Sequence, residues 1–171
     1  MNSPLQKLKG GIGIITCAIT LGLAGPVTAD VVYQAGFNHF STSGSVSTGS
    51  ASATLRGGDS DAIMTSNVIN TSGYNNLTLT LNRTTFGLDA GESYILAISI
   101  DGSSYTTLES TRSVSGSDTF SIGPADSVTV KLTLDASSYF EKLSLSALSV
   151  DGSHGYTSSR TENKKYRAGK R

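Results

Sequence analysis

Ser127-Val-Thr-Val-Lys-Leu-Thr-Leu-Asp135 puts Val128, Val130, Leu132 and Leu134 on one side of the chain and Thr129, Lys131 and Thr133 on the other. Successive side chains of an extended strand point to opposite faces, so a strict period of two reads as a strand with one face on a core and the other in water. Asn76 to Asn82 repeats the pattern, alternating Leu77, Leu79 and Leu81 with Thr78 and Thr80. Glu92 to Asp101 differs. It carries Tyr94, Leu96, Ile98 and Ile100 in one phase but also Ile95 and Ala97 in the other, which predicts a central strand covered on both sides. Leu143, Leu145 and Ala147 share one phase while Leu148 and Val150 take the other, so a bulge near Ser146 is expected to restore the core face.

Shorter strands are expected over Val31 to Phe37, Ala51 to Leu55, Ala62 to Ile69, Tyr105 to Glu109 and Asp118 to Ile122. Turn signals separate them at short spacing: Arg56-Gly57-Gly58-Asp59, Thr71-Ser72-Gly73, Asp89-Ala90-Gly91, Asp101-Gly102-Ser103, Ser115-Gly116-Ser117 and Gly123-Pro124-Ala125-Asp126. Asp-Gly between two β runs is a strong hairpin signal, so Ile100 and Tyr105 should flank a tight turn. With no helical periodicity, about eight or nine short strands predict an all-β, two-sheet antiparallel sandwich ahead of a closed barrel.

The chain begins with Lys7 and Lys9, continues through an apolar run from Ile12 to Leu23 and reaches small residues at Pro26-Val27-Thr28-Ala29. That is the signal-peptide pattern, with cleavage expected after Ala29. The apolar run is shorter than the roughly 20 residues a membrane-spanning helix needs, so no transmembrane segment is expected after cleavage. The expected product is secreted, extracellular or periplasmic. Cys17, the single cysteine, falls in the leader and leaves no thiol for a disulfide or a metal. Removing 29 of 171 residues leaves 142, enough for one domain. The expected organisation is a leader over 1–29, a β-sandwich over 30–153 and a basic disordered tail over 154–171.

A net charge of zero hides an asymmetry. Asp30 to Ser153 holds five basic residues (Arg56, Arg83, Arg112, Lys131, Lys142) against twelve acidic ones, whereas the tail carries Arg160, Lys164, Lys165, Arg167, Lys170 and Arg171 against Glu162. Such a tail is drawn to anionic surfaces by charge alone. No phosphate loop or dinucleotide turn follows the leader, so specific nucleic-acid or nucleotide binding is not expected. Nucleophilic catalysis needs a base, and only His39 and His154 remain. Glu92, Glu109 and Glu141 stand singly beside turns rather than as the paired carboxylates of a glycosidase, so no enzyme is expected.

Ala53-Thr-Leu-Arg-Gly, Ile69-Asn-Thr-Ser-Gly-Tyr-Asn-Asn-Leu-Thr-Leu-Thr-Leu and Asp89-Ala-Gly-Glu-Ser-Tyr-Ile-Leu-Ala-Ile-Ser-Ile-Asp-Gly-Ser-Ser-Tyr-Thr-Thr-Leu together resemble a pattern of secreted bacterial jelly-roll domains, many of them carbohydrate-binding-module-like. Tyr105 stands where that pattern carries an aromatic, usually Trp. The resemblance spans about Ala51 to Leu108, with an echo at Val150-Asp151-Gly152. It implies a jelly-roll sandwich, and fold does not fix function.

Sugar recognition uses aromatic faces with a few placed polar groups. The ligand-binding candidates are Tyr74, Tyr105 and Tyr139, with Asn75, Asn76 and Asn82 as polar neighbours. No cofactor is expected apart from a structural calcium ion, for which Asp59, Asp61 and Asp151 are the candidate ligands, since calcium takes carboxylate and carbonyl oxygens. The leading expectation is a secreted, non-catalytic module that binds polysaccharide or a cell-surface glycan, as in adhesion or an extracellular matrix. The alternative is a structural protein that self-assembles or docks onto other proteins through a sheet edge.

Overall fold

The structure is a computed structural model, which describes residues 29–34 and 36–154. The expected leader, except for Ala29, and the expected tail beyond His154 lie outside the described residues. The strands, in chain order, are β1 (Asp30–Gln34), β2 (Ser41–Ser43), β3 (Val46–Thr48), β4 (Ala53–Arg56), β5 (Ala62–Thr65), β6 (Ile69–Asn70), β7 (Tyr74–Phe86), β8 (Ser93–Ile100), β9 (Thr106–Thr111), β10 (Ser115–Gly123), β11 (Ser127–Asp135) and β12 (Lys142–His154), with one 3-10 turn at Phe37–His39.

They form two six-stranded sheets. The first runs β10-β7-β12-β4-β3, with β1 beside the second half of β12; the second runs β2-β5-β11-β8-β9, with β6 beside the start of β11. All pairings are antiparallel. From β4 onward the chain passes repeatedly between the sheets, giving the jelly-roll sandwich that the resemblance implied. No helix among the described residues is long and apolar enough to cross a membrane.

The period-two runs set the core. Leu77, Leu79 and Leu81 of β7 and Leu143, Leu145, Leu148 and Val150 of β12 face Val128, Val130, Leu132 and Leu134 of β11 and Tyr94, Leu96 and Ile98 of β8, all buried. Each fully buried large aliphatic side chain stabilises the fold by about 1.5–3 kcal/mol. The bulge expected near Ser146 is present, since the register of β12 on β7 shifts between Leu145 and Ala147. It passes one residue over, so Leu148 and Val150 turn inward like Leu143 and Leu145.

Three expectations need correction. The described residues form twelve strands rather than eight or nine, partly because β2 and β3 are short and polar. In addition, Ala62 to Ile69 divides into β5 and β6 where Ser66 Oγ accepts the Val130 N–H. The central strand of the second sheet is β11, with β8 between it and the edge strand β9. β8 is still covered on both faces, because Ala97 and Ser99 of its outer face are also buried. Finally, the Asp101-Gly102 turn exists, with φ of 50° and 71° and a Ser103 N–H to Ile100 C=O bond of 2.9 Å. Pairing resumes only at Thr106 opposite Ile98, so Tyr105 lies just beyond the turn.

Candidate functional site

β7 ends at Phe86, directly across from Lys142 at the start of β12, which in turn lies across from Arg56 at the end of β4. Leu55, Leu143 and Thr85 occupy the alternate phase and the first two are fully buried, so Phe86, Lys142 and Arg56 form a row on the outer face at one end of the first sheet. The connections β4–β5, β7–β8, β9–β10 and β11–β12 all leave the sandwich at this end. Of the six large hydrophobic side chains that are well exposed among the described residues, three are here: Phe86 (62 %), Tyr139 (61 %) and Phe140 (81 %). Arg56 stacks on Tyr139 with its guanidinium carbon 4.8 Å from the ring centre, and its Nη1 donates to Tyr139 C=O at 3.4 Å. Lys142 Nζ lies 5.4 Å from the Phe86 ring centre.

The loop presenting Tyr139 and Phe140 is fixed on both sides. Glu141 N–H donates to Ser138 C=O at 2.9 Å, and Glu141 Oε2 accepts the Ser138 N–H at 2.6 Å. From β7–β8, Glu92 Oε1 accepts both the N–H and the hydroxyl of Ser137 at 2.8 and 2.7 Å, while its Oε2 accepts the Asp89 N–H at 2.8 Å. From β4–β5, Gly57 N–H donates to Glu141 C=O and Gly58 N–H to Ala136 C=O, both at 3.0 Å. The backbones come so close that a Cβ on Gly57 would stand 2.8 Å from Ala136 O and nearer still to Ser138 O, so only glycine fits.

Carboxylate oxygens of Asp89, Glu92 and Glu141 lie within 4.8 Å of one another. Like charges this close cannot ionise independently, and the hydrogen bonds decide the order. The Ser137 hydroxyl and the Asp89 and Ser137 N–H groups hold Glu92 down at about 2. Glu141 receives the Ser138 N–H, which favours its ionised form, but burial and the Glu92 and Asp89 carboxylates outweigh this and push it above the ordinary carboxylate value. The cluster offers the hard oxygen donors that calcium prefers.

Beside it, between the β7–β8 and β9–β10 connections, opens a groove of about 440 Å³ lined by Thr85, Gly87, Leu88, Arg112 and Ser113. Thr85 Oγ1 is held by the Val114 N–H at 2.9 Å.

The structure separates the residues singled out in the sequence. Tyr139 lies in the exposed aromatic group. Tyr105 is on the outer face of the second sheet towards the opposite end, 44 % exposed, with Lys131 Nζ 5.4 Å from its ring centre. Tyr74 starts β7, also at the opposite end, where its ring centre lies 4.2 Å from that of His154 and its Cβ closes over Gly152. There Asn76 Nδ2 donates to Ser153 Oγ at 3.2 Å, whereas Asn82 lies mid-strand on the outer face. Asp59 and Asp61 are exposed in β4–β5. Asp151 accepts the Ser149 hydroxyl at 2.9 Å, nine residues along β12 from Lys142 and so about 30 Å of extended chain from that end. The three aspartates therefore do not converge on one ion; among the described residues the carboxylates that converge are Asp89, Glu92 and Glu141.

Phe86, Phe140 and the carboxylate cluster were missed in the sequence. Phe86 continues the outward phase of Thr80, Asn82 and Thr84, and that phase was the available signal. Nothing local pairs Glu141 with Glu92, which are 49 residues apart.

No family model and no curated protein matches the chain. Among solved structures it is similar to the CBM36-1 domain of a multidomain xylanase from the hindgut metagenome of Trinervitermes trinervoides, at 14 % identity and a TM-score of 0.41, over 75 % of this chain and 99 % of that domain.

Proposed function

We propose that this chain is a secreted, non-catalytic module that binds polysaccharide or cell-surface glycan at the end of the sandwich carrying Phe86, Tyr139 and Phe140. The observation that carries the reading is the convergence of these three exposed rings on one clamped loop and the strand end beside it. A concentrated exposed apolar group on a small domain marks a contact surface. Rings interspersed with hydrogen-bonding side chains, here Arg56, Lys142 and the nearby hydroxyls, match the mixture that sugar sites use. A binding role fits better than a hydrolytic one because Glu92 spends both carboxylate oxygens on loop N–H and hydroxyl groups. The signal-peptide pattern ending at Ala29 supports the export part of this reading, and the basic residues after His154 would add attraction to anionic surfaces.

Glycan-array binding by the full chain tests this. Saturable binding that is lost in Tyr139→Ala/Phe140→Ala and kept in Tyr105→Ala supports the reading; binding that ignores the aromatic changes refutes it. Phe140, 81 % exposed, also favours a second reading, docking onto protein or a second copy. Concentration-dependent association that Phe140→Ala abolishes, without any glycan binding, would favour that one.

A further inference from the structure

Resting on the carbohydrate reading above, we propose that Arg112 seats a carboxylate of the bound sugar, so that the glycan recognised at this end contains uronic acid. Each of the other four cations between Asp30 and Ser153 already contacts a carboxylate or an aromatic ring. Arg83 pairs with Glu109 and Asp118, Arg56 lies over Tyr139, Lys131 over Tyr105 and Lys142 over Phe86. Arg112 makes no ion pair or ring contact among the described residues, although acidic groups in this body outnumber basic ones by twelve to five. It lines the groove of about 440 Å³ together with Thr85, Gly87, Ser113 and the apolar Leu88.

That groove adjoins the aromatic end through Gly87, whose neighbour Phe86 is one of the three exposed rings. Its dimensions and lining suit one sugar unit, with Leu88 for apolar contact and Ser113 as a polar partner. Guanidinium matches a carboxylate in a bidentate, charge-assisted pair that a lysine does not reproduce. The acidic body would on its own repel a polyanion, so within residues 30–153 a preference for the acidic form has to come from local contact.

The test is equilibrium binding of the full chain to alginate and to polygalacturonate, each beside its methyl-esterified form, for the wild type, Arg112→Ala, Arg112→Lys and Tyr139→Ala/Phe140→Ala. The wild type is expected to prefer at least one acidic glycan over its ester by about tenfold, the scale of one charge-assisted hydrogen-bonded pair. Arg112→Ala is expected to remove the preference by weakening the acid about tenfold more than the ester, Arg112→Lys to restore only part of it, and the aromatic variant to weaken both forms. Equal wild-type affinity for acid and ester overturns the proposal and leaves the carbohydrate reading standing. So does a preference that survives in Arg112→Ala, as it would if the basic C-terminal residues supplied it. Binding to none of the four glycans by the wild type overturns the proposal, and the same chain on a neutral glycan array then decides the underlying reading.

Discussion

Arg83 of β7 and Glu109 of β9 belong to opposite sheets and meet between them, with Arg83 Nη2 2.6 Å from Glu109 Oε1 and Nε 3.1 Å from Oε2. Arg83 follows Leu77, Leu79 and Leu81 in the inward phase and its side chain is fully buried. Asp118 of β10 adds a second carboxylate at 2.8 Å, and the Phe120 ring centre lies 5.5 Å from the guanidinium carbon. Burial opposes the charge on Arg83, but the bonds to Glu109 and Asp118 outweigh it and raise its pKa further. The pair fastens β7 to β9 across the two sheets, and through Asp118 the same guanidinium also holds β10, the edge strand beside β7.

Breaking that pair from one side strands a partly buried charge. Arg83→Ala is expected to destabilise the fold by about 3–5 kcal/mol, read by urea denaturation. Arg83→Met/Glu109→Leu is expected to recover much of the loss, because the one carboxylate left without its partner, Asp118, is largely exposed to water. A double variant as unstable as Arg83→Ala would mean that the charges themselves stabilise the interior.

Gly57 separates packing from ring chemistry. Adding a Cβ there forces the β4–β5 and β11–β12 connections apart, so Gly57→Ala is expected to cost about 1–3 kcal/mol in thermal or chemical unfolding. Tyr139→Ala and Phe140→Ala remove exposed side chains and are expected to change stability by no more than about 0.5 kcal/mol. Equal destabilisation by all three would show that the rings support the fold.

Acid should loosen the loop in a defined window. Glu92 is held at about 2, below the ordinary value of 4.5, so its contribution is complete above about 4.5 and is lost as pH falls towards 2. Glu92→Gln is expected to flatten that acid limb in a pH series of melting temperatures. Glu141 is shifted the other way, so its contribution is present below the ordinary carboxylate value and is lost as pH rises through its own raised one. Glu141→Gln is therefore expected to stabilise the fold relative to wild type at neutral pH and to give no advantage in acid. Parallel pH profiles for wild type and both variants would contradict the coupling.

What was legible in the sequence follows from periodicity. β7, β8, β11 and β12 alternate apolar and polar residues over long runs, and even the bulge at Ser146 shows as a change of phase. β2 and β3 carry Ser41–Ser43 and Val46–Thr48, exposed or half-buried, and owe their form to backbone pairing with β5 and β4, which leaves no apolar signature. At the site, Tyr139 could be picked out by chemistry alone. Its association with Arg56, 83 residues earlier, depends on the sheet register that sets Arg56 opposite Lys142. Phe86 looks like core until the alternation of β7 is carried through to its end, where the alternation that sends Arg83 inward sends Phe86 out.

Backbone NMR of the full chain with the tightest-binding glycan titrated in tests the central claim most directly. The account predicts saturable shift changes concentrated in Phe86–Glu92, Arg112–Ser113 and Ser137–Lys142, with Asp101–Thr106 unmoved. Changes centred on Tyr74 or Tyr105 instead, or none outside the residues that follow His154, would contradict it.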